Sequence, residues 1–443
     1  MIGKRPRFGP RDREIFRLAV PAFAALVSEP LMLLVDTAIV GHLGTTSLAG
    51  LAIAATVLQT VVGLCVFLAY GTTASVGRHL GAGDLRGVMT TGMKDIWLAL
   101  VLGGAAAFAC SAGAPAITSW FGPSAPVASA AVSYLAVAAL GIPAMLVVLA
   151  ATGVLRGLQD LRTPLVVMIV ANVLNAVLSM LLVYGAGLGL VGAAIGTTIA
   201  QWAAAAYLAL VVVRGARAHH ADLRPHRAGI AEAARAGSAL VLRTLTLRAA
   251  LLIATLVATS QGDAALAAQQ IAVTLVSTLA FALDAIAIAG QALTSRSLGA
   301  GDIAGTRATT RRMIGWGLVS GVVAAALLLA LHTVLPSWFS SDEAVRDALV
   351  PALIVVALIQ PASGIVFVLD GVLIGAGDGA YLAKAGVVVL VAYAPLALLV
   401  AVTGAGLAWL WVAYGGFILA RMATLVLRER SDAWLVTGAS KAR

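Results

Sequence analysis

The sequence predicts an all-α membrane protein with twelve transmembrane helices, arranged as two parallel six-helix repeats that form two lobes. Three observations carry that prediction. First, 61% of the 443 residues are hydrophobic and only 11% are charged, whereas soluble domains run at about 45–50% apolar and about 25% charged. Second, apolar runs of about 20 residues recur from end to end, the length needed to cross roughly 30 Å of hydrocarbon. Third, the two halves align without a gap at an offset of 218 residues. Arg78 to Gly87 (RHLGAGDLRG) falls on Arg296 to Gly305 (RSLGAGDIAG) with seven of ten positions identical, Ser119, Trp120 and Phe121 fall on Ser337, Trp338 and Phe339, and Pro143 falls on Pro361.

Taken in order, the spans read 15–40, 48–76, 92–115, 126–152, 165–185, 191–213, 236–260, 265–293, 312–335, 346–374, 382–403 and 406–428. They are unbroken Ala/Leu/Val/Gly runs that satisfy their backbone internally as helices, not the short alternating segments of a barrel. The first follows a basic tail but is too long for a signal peptide, carries Glu29 and Asp36, and has no clear cleavage site, so it is expected to be retained. The second and third hold Cys65 and Cys110, which match no disulfide or metal spacing and are assigned to packing. Between the fifth and sixth, Gly187, Gly189 and Gly192 match a dinucleotide fingerprint without its βαβ context and are read as a turn. Residues 1–213 form the expected N-terminal lobe, 214–236 a basic cytoplasmic linker containing His219, His220 and His226, and 237–443 the C-terminal lobe.

The net charge of +10 is explained by its placement and calls for no nucleic-acid partner. With an even number of spans and both termini in the cytoplasm, of the 29 Lys and Arg only Arg346, at the start of the tenth span, falls at an external loop. This is the positive-inside pattern of an integral plasma (inner) membrane protein. Because both halves enter from the same side, the repeat is parallel, the arrangement of transporters that bind substrate near the repeat interface. No Gly-rich loop ending in Lys-Ser/Thr occurs, so an ion gradient is the expected energy source, and no nucleophile or metal cluster suggests an enzyme. A channel is disfavoured because the acids break the two-fold symmetry.

An ionised side chain at mid-bilayer costs about 2.5–3.5 kcal/mol on insertion scales, so intramembrane acids are functional candidates. The repeat sharpens the point: Asp36 falls on Ala254, Glu29 on Leu247, Asp284 on Val66 and Asp370 on Thr152, so shared packing does not demand them. Glu29 and Asp36 lie on one helix face, as do Asn172, Asn175 and Ser179 in the fifth span and Thr197 and Gln201 in the sixth. Converging, these faces would make a polar chamber in which a carboxyl group holds a proton, because desolvation penalises its charged form. The alternative is that the amides and hydroxyls merely bridge helices. Pro21 and Pro30 interrupt the first span and make it a candidate bending helix. In the C-terminal half, Asp284 and Gln291 share a face, while Arg243, Arg248, Asp370 and Lys384 are candidates for compensating pairs.

Ser28 to Gly44 (SEPLMLLVDTAIVGHLG) resembles the first helix of the multidrug and toxic compound extrusion (MATE) family, particularly its DinF-like branch. Arg156 to Pro164 (RGLQDLRTP), Leu283 to Ala289 (LDAIAIA) and Leu369 to Gly375 (LDGVLIG) are similar to further family segments. The resemblance implies antiport, exporting organic, often cationic or amphipathic compounds in exchange for protons or Na⁺. It matches Asp36 to the first-helix acid of the coupling site, Pro21 to the bending proline, and Asn175 and Thr197 to chamber residues. Ser179 stands where many relatives carry a second acid; this favours protons as the coupling ion unless Glu29 compensates. Asp284 and Asp370 match acids of the DinF-like branch. The expectation is therefore a monomeric, proton-coupled exporter without a cofactor or bound metal. Coupling falls to Asp36, Glu29, Asn172, Asn175 and Thr197, and substrate or coupling contacts in the second lobe to Asp284, Asp370, Gln291 and Arg243. The alternatives are Na⁺-coupled export, or flipping of a lipid precursor or metabolite, which predicts a large basic cavity.

Overall fold

The computed structural model describes residues 9–439, with the Glu29 side chain outside the described residues. Twelve helices long and apolar enough to cross a membrane follow one another: α1 Pro10–Gly41, α2 Thr45–Gly81, α3 Leu85–Ala112, α4 Ala125–Gly157, α5 Arg162–Gly185, α6 Gly189–Ala218, α7 Arg227–Ser260, α8 Asp263–Gly299, α9 Ile303–Leu331, α10 Glu343–Gly375, α11 Gly379–Thr403 and α12 Leu407–Arg430. Their order agrees with the twelve expected spans. Many run further: α8 has 37 residues, about 55 Å at 1.5 Å per residue, against roughly 30 Å of hydrocarbon. Apolarity ends at the membrane boundary, but the backbone hydrogen bonds that propagate a helix do not require apolar side chains. The same effect shortens the expected 214–236 linker, whose ends are helical to Ala218 and again from Arg227.

The chain divides into two compact units. One is Ala24–Ser238; the other joins the chain before residue 24 to the chain from Ala239 onward. Helix α1 therefore belongs to both. Its first turns are fixed to α9 by the buried Asp12 carboxylate, which accepts from Arg312 Nε at 2.5 Å, Arg312 Nη2 at 2.7 Å and Trp316 Nε1 at 2.7 Å. Phe16 sits edge-on to Trp316 with ring centroids 4.7 Å apart. The helix then passes Pro21 and Pro30 without a break.

The repeat is visible in the turns. After α2 the chain passes through Gly83 at φ +75° and after α8 through Gly301 at φ +76°, left-handed conformations that glycine adopts without a Cβ clash. Asp84 and Asp302 then cap the next helices, accepting from Gly87 N at 2.8 Å and Gly305 N at 2.7 Å. The Gly87 N–H, followed by His79, holds the Asp84 carboxyl below the usual carboxylate range. Trp120 and Trp338, related by the 218-residue offset, are 82% and 68% exposed, as suits aromatic residues at a membrane–water boundary.

Within each unit a small-residue seam brings a central helix against its neighbour. A Cβ on Gly153 of α4 would lie 2.8 Å from the Ala69 carbonyl oxygen of α2, and one on Gly371 of α10 would run into the Ala287 carbonyl of α8. Gly153→Ala and Gly371→Ala are each expected to destabilise by about 1–3 kcal/mol, because backbone cannot yield as a flexible side chain does. Thermal melts of the purified variants check this; the exposed control Gly104→Ala, whose Cβ meets nothing within 4 Å, should melt as the parent does.

Candidate functional site

In the unit Ala24–Ser238, the expected polar faces of α1 and α5 meet. Asp36, only 4% exposed, lies one and a half turns before the end of α1, where its carboxylate Oδ1 accepts from Asn175 Nδ2 at 2.7 Å. Asn175 and Ser179 are fully buried; the Ser179 hydroxyl donates to Asn175 Oδ1 at 3.3 Å. That bond turns the amide so that its NH₂ faces an ionised carboxylate, which can only accept. Asn172, one turn earlier, donates to the Ser28 carbonyl at 3.0 Å and to its hydroxyl at 2.7 Å, tying α5 to α1 beside the proline-containing stretch. The Asp36 carboxylate pairs with no cation among the described residues.

Two further elements complete the chamber. Tyr134 of α4, 4% exposed, stands within interaction range of both the Asp36 carboxylate and the Thr197 hydroxyl. Thr197 itself donates to the Ala193 carbonyl of its own helix at 3.0 Å, and Gln201, one turn on, is buried. Around Tyr134 lie Ile39, Val40, Leu51, Ala54, Leu135 and Val183, an apolar shell that removes water from one side of the acid. Sequence reasoning did not find Tyr134. The neighbouring Ser133 and Ala136 offered no polar periodicity, and only helix packing turns its hydroxyl toward α1. Glu29, expected as a second acid of this chamber, lies outside the described residues.

The second unit answers the charge question differently. Asp370 of α10, 5% exposed, is held by two guanidinium groups: Arg243 of α7, whose Nε donates to Oδ1 at 3.2 Å and whose Nη2 pairs with Oδ2, and Arg421 of α12 at 2.8 Å. The expected Arg243 partner is present, whereas Arg248 and Lys384 form no ion pair among the described residues. Arg421 takes the place given to them, because α12 packs against α10 and brings that side chain to the acid's level. Asp284 is half-buried and acts electrostatically on Arg421, and Gln291 is 1% exposed on the same helix. The two arginines and two acids balance, so this cluster is a compensated network and not a lone titratable acid.

A further buried acid escaped the sequence reading. Asp95 of α3 is 8% exposed and meets the Thr72 hydroxyl of α2 at 2.8 Å. It stands three residues into the expected 92–115 span and beside Lys94, where an acid reads as lying at the membrane edge. The helix begins at Leu85, which carries Asp95 about 15 Å inward.

A family model described as MatE matches residues 21–181 and 240–403, once in each half. The chloroplastic protein DETOXIFICATION 44 of Arabidopsis thaliana is 30% identical over 94% of this chain and 82% of its own length. DNA damage-inducible protein F of Escherichia coli is 29% identical, covering 82% of this chain and 81% of its own. Among solved structures, the bent form of the Vibrio cholerae MATE transporter VcmN superposes with a TM-score of 0.86 at 22% identity, over 95% of this chain and 98% of that one. At that identity the superposition speaks for the fold alone.

Proposed function

The chain belongs to the MatE family of membrane transporters, and from that premise we propose that it exports organic, often cationic or amphipathic compounds in exchange for protons by alternating access. The observation that carries the reading is Asp36, a buried carboxylate whose hydrogen-bond partner is the neutral Asn175 amide. Burial disfavours the charged form, and no cation among the described residues offsets it, so binding and release of a proton change the energy of the site by a large amount. Protonation also turns the group from a pure acceptor into one that both donates and accepts, which alters its fit to the Asn175 NH₂. Because Asp36 rides on α1, beyond Pro21 and Pro30, the conformation favoured by that helix follows the proton. The family's exporters include relatives named as probable multidrug resistance proteins, which supports an organic substrate here.

Protons are preferred over Na⁺ because Ser179 occupies the position of a second acid and the amide presents N–H to the carboxylate. A hard cation would want several oxygen ligands. The reading includes a single chain in the plasma membrane with both termini cytoplasmic, and the Lys/Arg bias supports that orientation. In proteoliposomes, efflux of a fluorescent organic cation is expected under an imposed pH gradient without Na⁺ and absent under a Na⁺ gradient at uniform pH. Transport driven by Na⁺ alone would overturn the choice of ion.

A further inference from the structure

Asp95 and Thr72 lie in the unit Ala24–Ser238, at the end that holds the 81–85 loop, whereas Asp36 lies toward the 41–45 loop at the other end. The Thr72 hydroxyl is placed between two oxygens: the Leu68 carbonyl at 2.5 Å and Asp95 Oδ2 at 2.8 Å. A hydroxyl has one proton to donate. If it donates to Asp95, the Leu68 oxygen is left with no bond from that hydroxyl, 2.5 Å away. If it donates to Leu68, the short contact with Asp95 needs a proton from the carboxyl side. A protonated Asp95 satisfies both, donating to Thr72 Oγ while Thr72 donates to Leu68.

The surroundings hold this arrangement in place. A Cβ on Gly153 would lie 2.8 Å from Thr72 Cβ, so the seam between α2 and α4 leaves Thr72 little room to turn away. The groups acting on Asp95 among the described residues are the Thr72 hydroxyl and Lys94. Lys94 is only adjacent in the chain and carries its ammonium to Glu232 of α7 at 3.3 Å. Arg78 and Arg156 lie further toward the ends of α2 and α4, and Arg214 and Arg217 of α6 are exposed. The repeat shows that packing does not require the acid: at the 218-residue offset, Thr72 and Asp95 correspond to Gly290 and Met313, which pack directly, a Cβ on Gly290 lying 3.2 Å from Met313 Sδ.

We propose that Asp95 is a second proton-binding site of the N-terminal unit, carrying a proton on a carboxyl that donates to Thr72 and releasing it at the end of the helix bundle opposite Asp36. The proton comes from water onto a carboxylate oxygen and returns to water, with no other bond made or broken. Its part in transport rests on the proton-coupled reading above; its titration does not.

The test is the acidic-minus-alkaline infrared difference spectrum of the full chain in lipid nanodiscs, read in the carboxylic C=O stretching region. Asp95→Asn is expected to lose one band and Asp36→Asn a different one, while Thr72→Val keeps the Asp95 band but displaces its frequency, because the carboxyl loses its hydroxyl partner. A spectrum of Asp95→Asn that superimposes on the parent overturns the proposal. Should that variant fail to fold, an undisplaced spectrum in Thr72→Val overturns it equally. Na⁺-driven efflux with the Asp95 band intact would sink the proton-coupled reading and leave this site standing.

Discussion

Asp36→Asn is expected to insert and fold as the parent does and to lose gradient-driven efflux, down to the rate of protein-free vesicles. The amide keeps the shape of the carboxyl and removes a charge whose burial costs about 2.5–3.5 kcal/mol, so the variant should melt no lower than the parent. What it removes is the proton. With residue 36 neutral at every pH, the imposed gradient has nothing to act on in the chamber built by Asn175, Ser179, Tyr134 and Thr197. Substrate binding, measured by fluorescence anisotropy of the same organic cation, should persist, separating the coupling step from recognition. Undiminished efflux would remove Asp36 from the mechanism.

The opposite signature is expected in the second unit. Asp370→Ala leaves Arg243 and Arg421 facing one another in a site where their side chains are 12% and 11% exposed. Removing one partner of a buried ionic network costs about 3–5 kcal/mol, which for a unit of this size lowers Tm by on the order of 10 °C. Adding Arg421→Met to Asp370→Ala should recover part of the loss, because one uncompensated charge goes with it. A native Tm for Asp370→Ala, accompanied by loss of efflux, would instead return Asp370 to the transport chemistry. The contrast follows from charge balance: Asp36 has an amide beside it, Asp370 two guanidinium groups.

Much of this was legible from residues alone, for identifiable reasons. Each span had to satisfy its own backbone in hydrocarbon, so the apolar runs announced the helices one by one. The Asp84 and Asp302 turns were legible because glycine at a left-handed position and an Asp cap are local devices, repeated at one offset. Asp36 with Asn175 could be anticipated because helical spacing puts Asn175 on the same face as Ser179, and a lone acid in oil needs a polar neighbour. The limits were equally physical. Asp95 was hidden because a charged pair at the start of an apolar run looks like the membrane edge until the helix is seen to begin at Leu85, ten residues before the acid. Arg421 was passed over for Arg248 and Lys384, since all three are plausible bases and only the rotation and depth of each helix decide which reaches Asp370.

By itself, then, the sequence determined the solvent and the twelve helices, because each is set by the free energy of a segment against lipid, and their duplication, because one offset aligns the two halves. Only the tertiary structure decided which base neutralises Asp370, that Tyr134 looks onto Asp36, that Thr72 meets Asp95, and that α1 is shared by two compact units. Those outcomes turn on how helices distant along the chain rotate and slide against one another, and that is settled by packing across the bundle, which no local pattern of residues records.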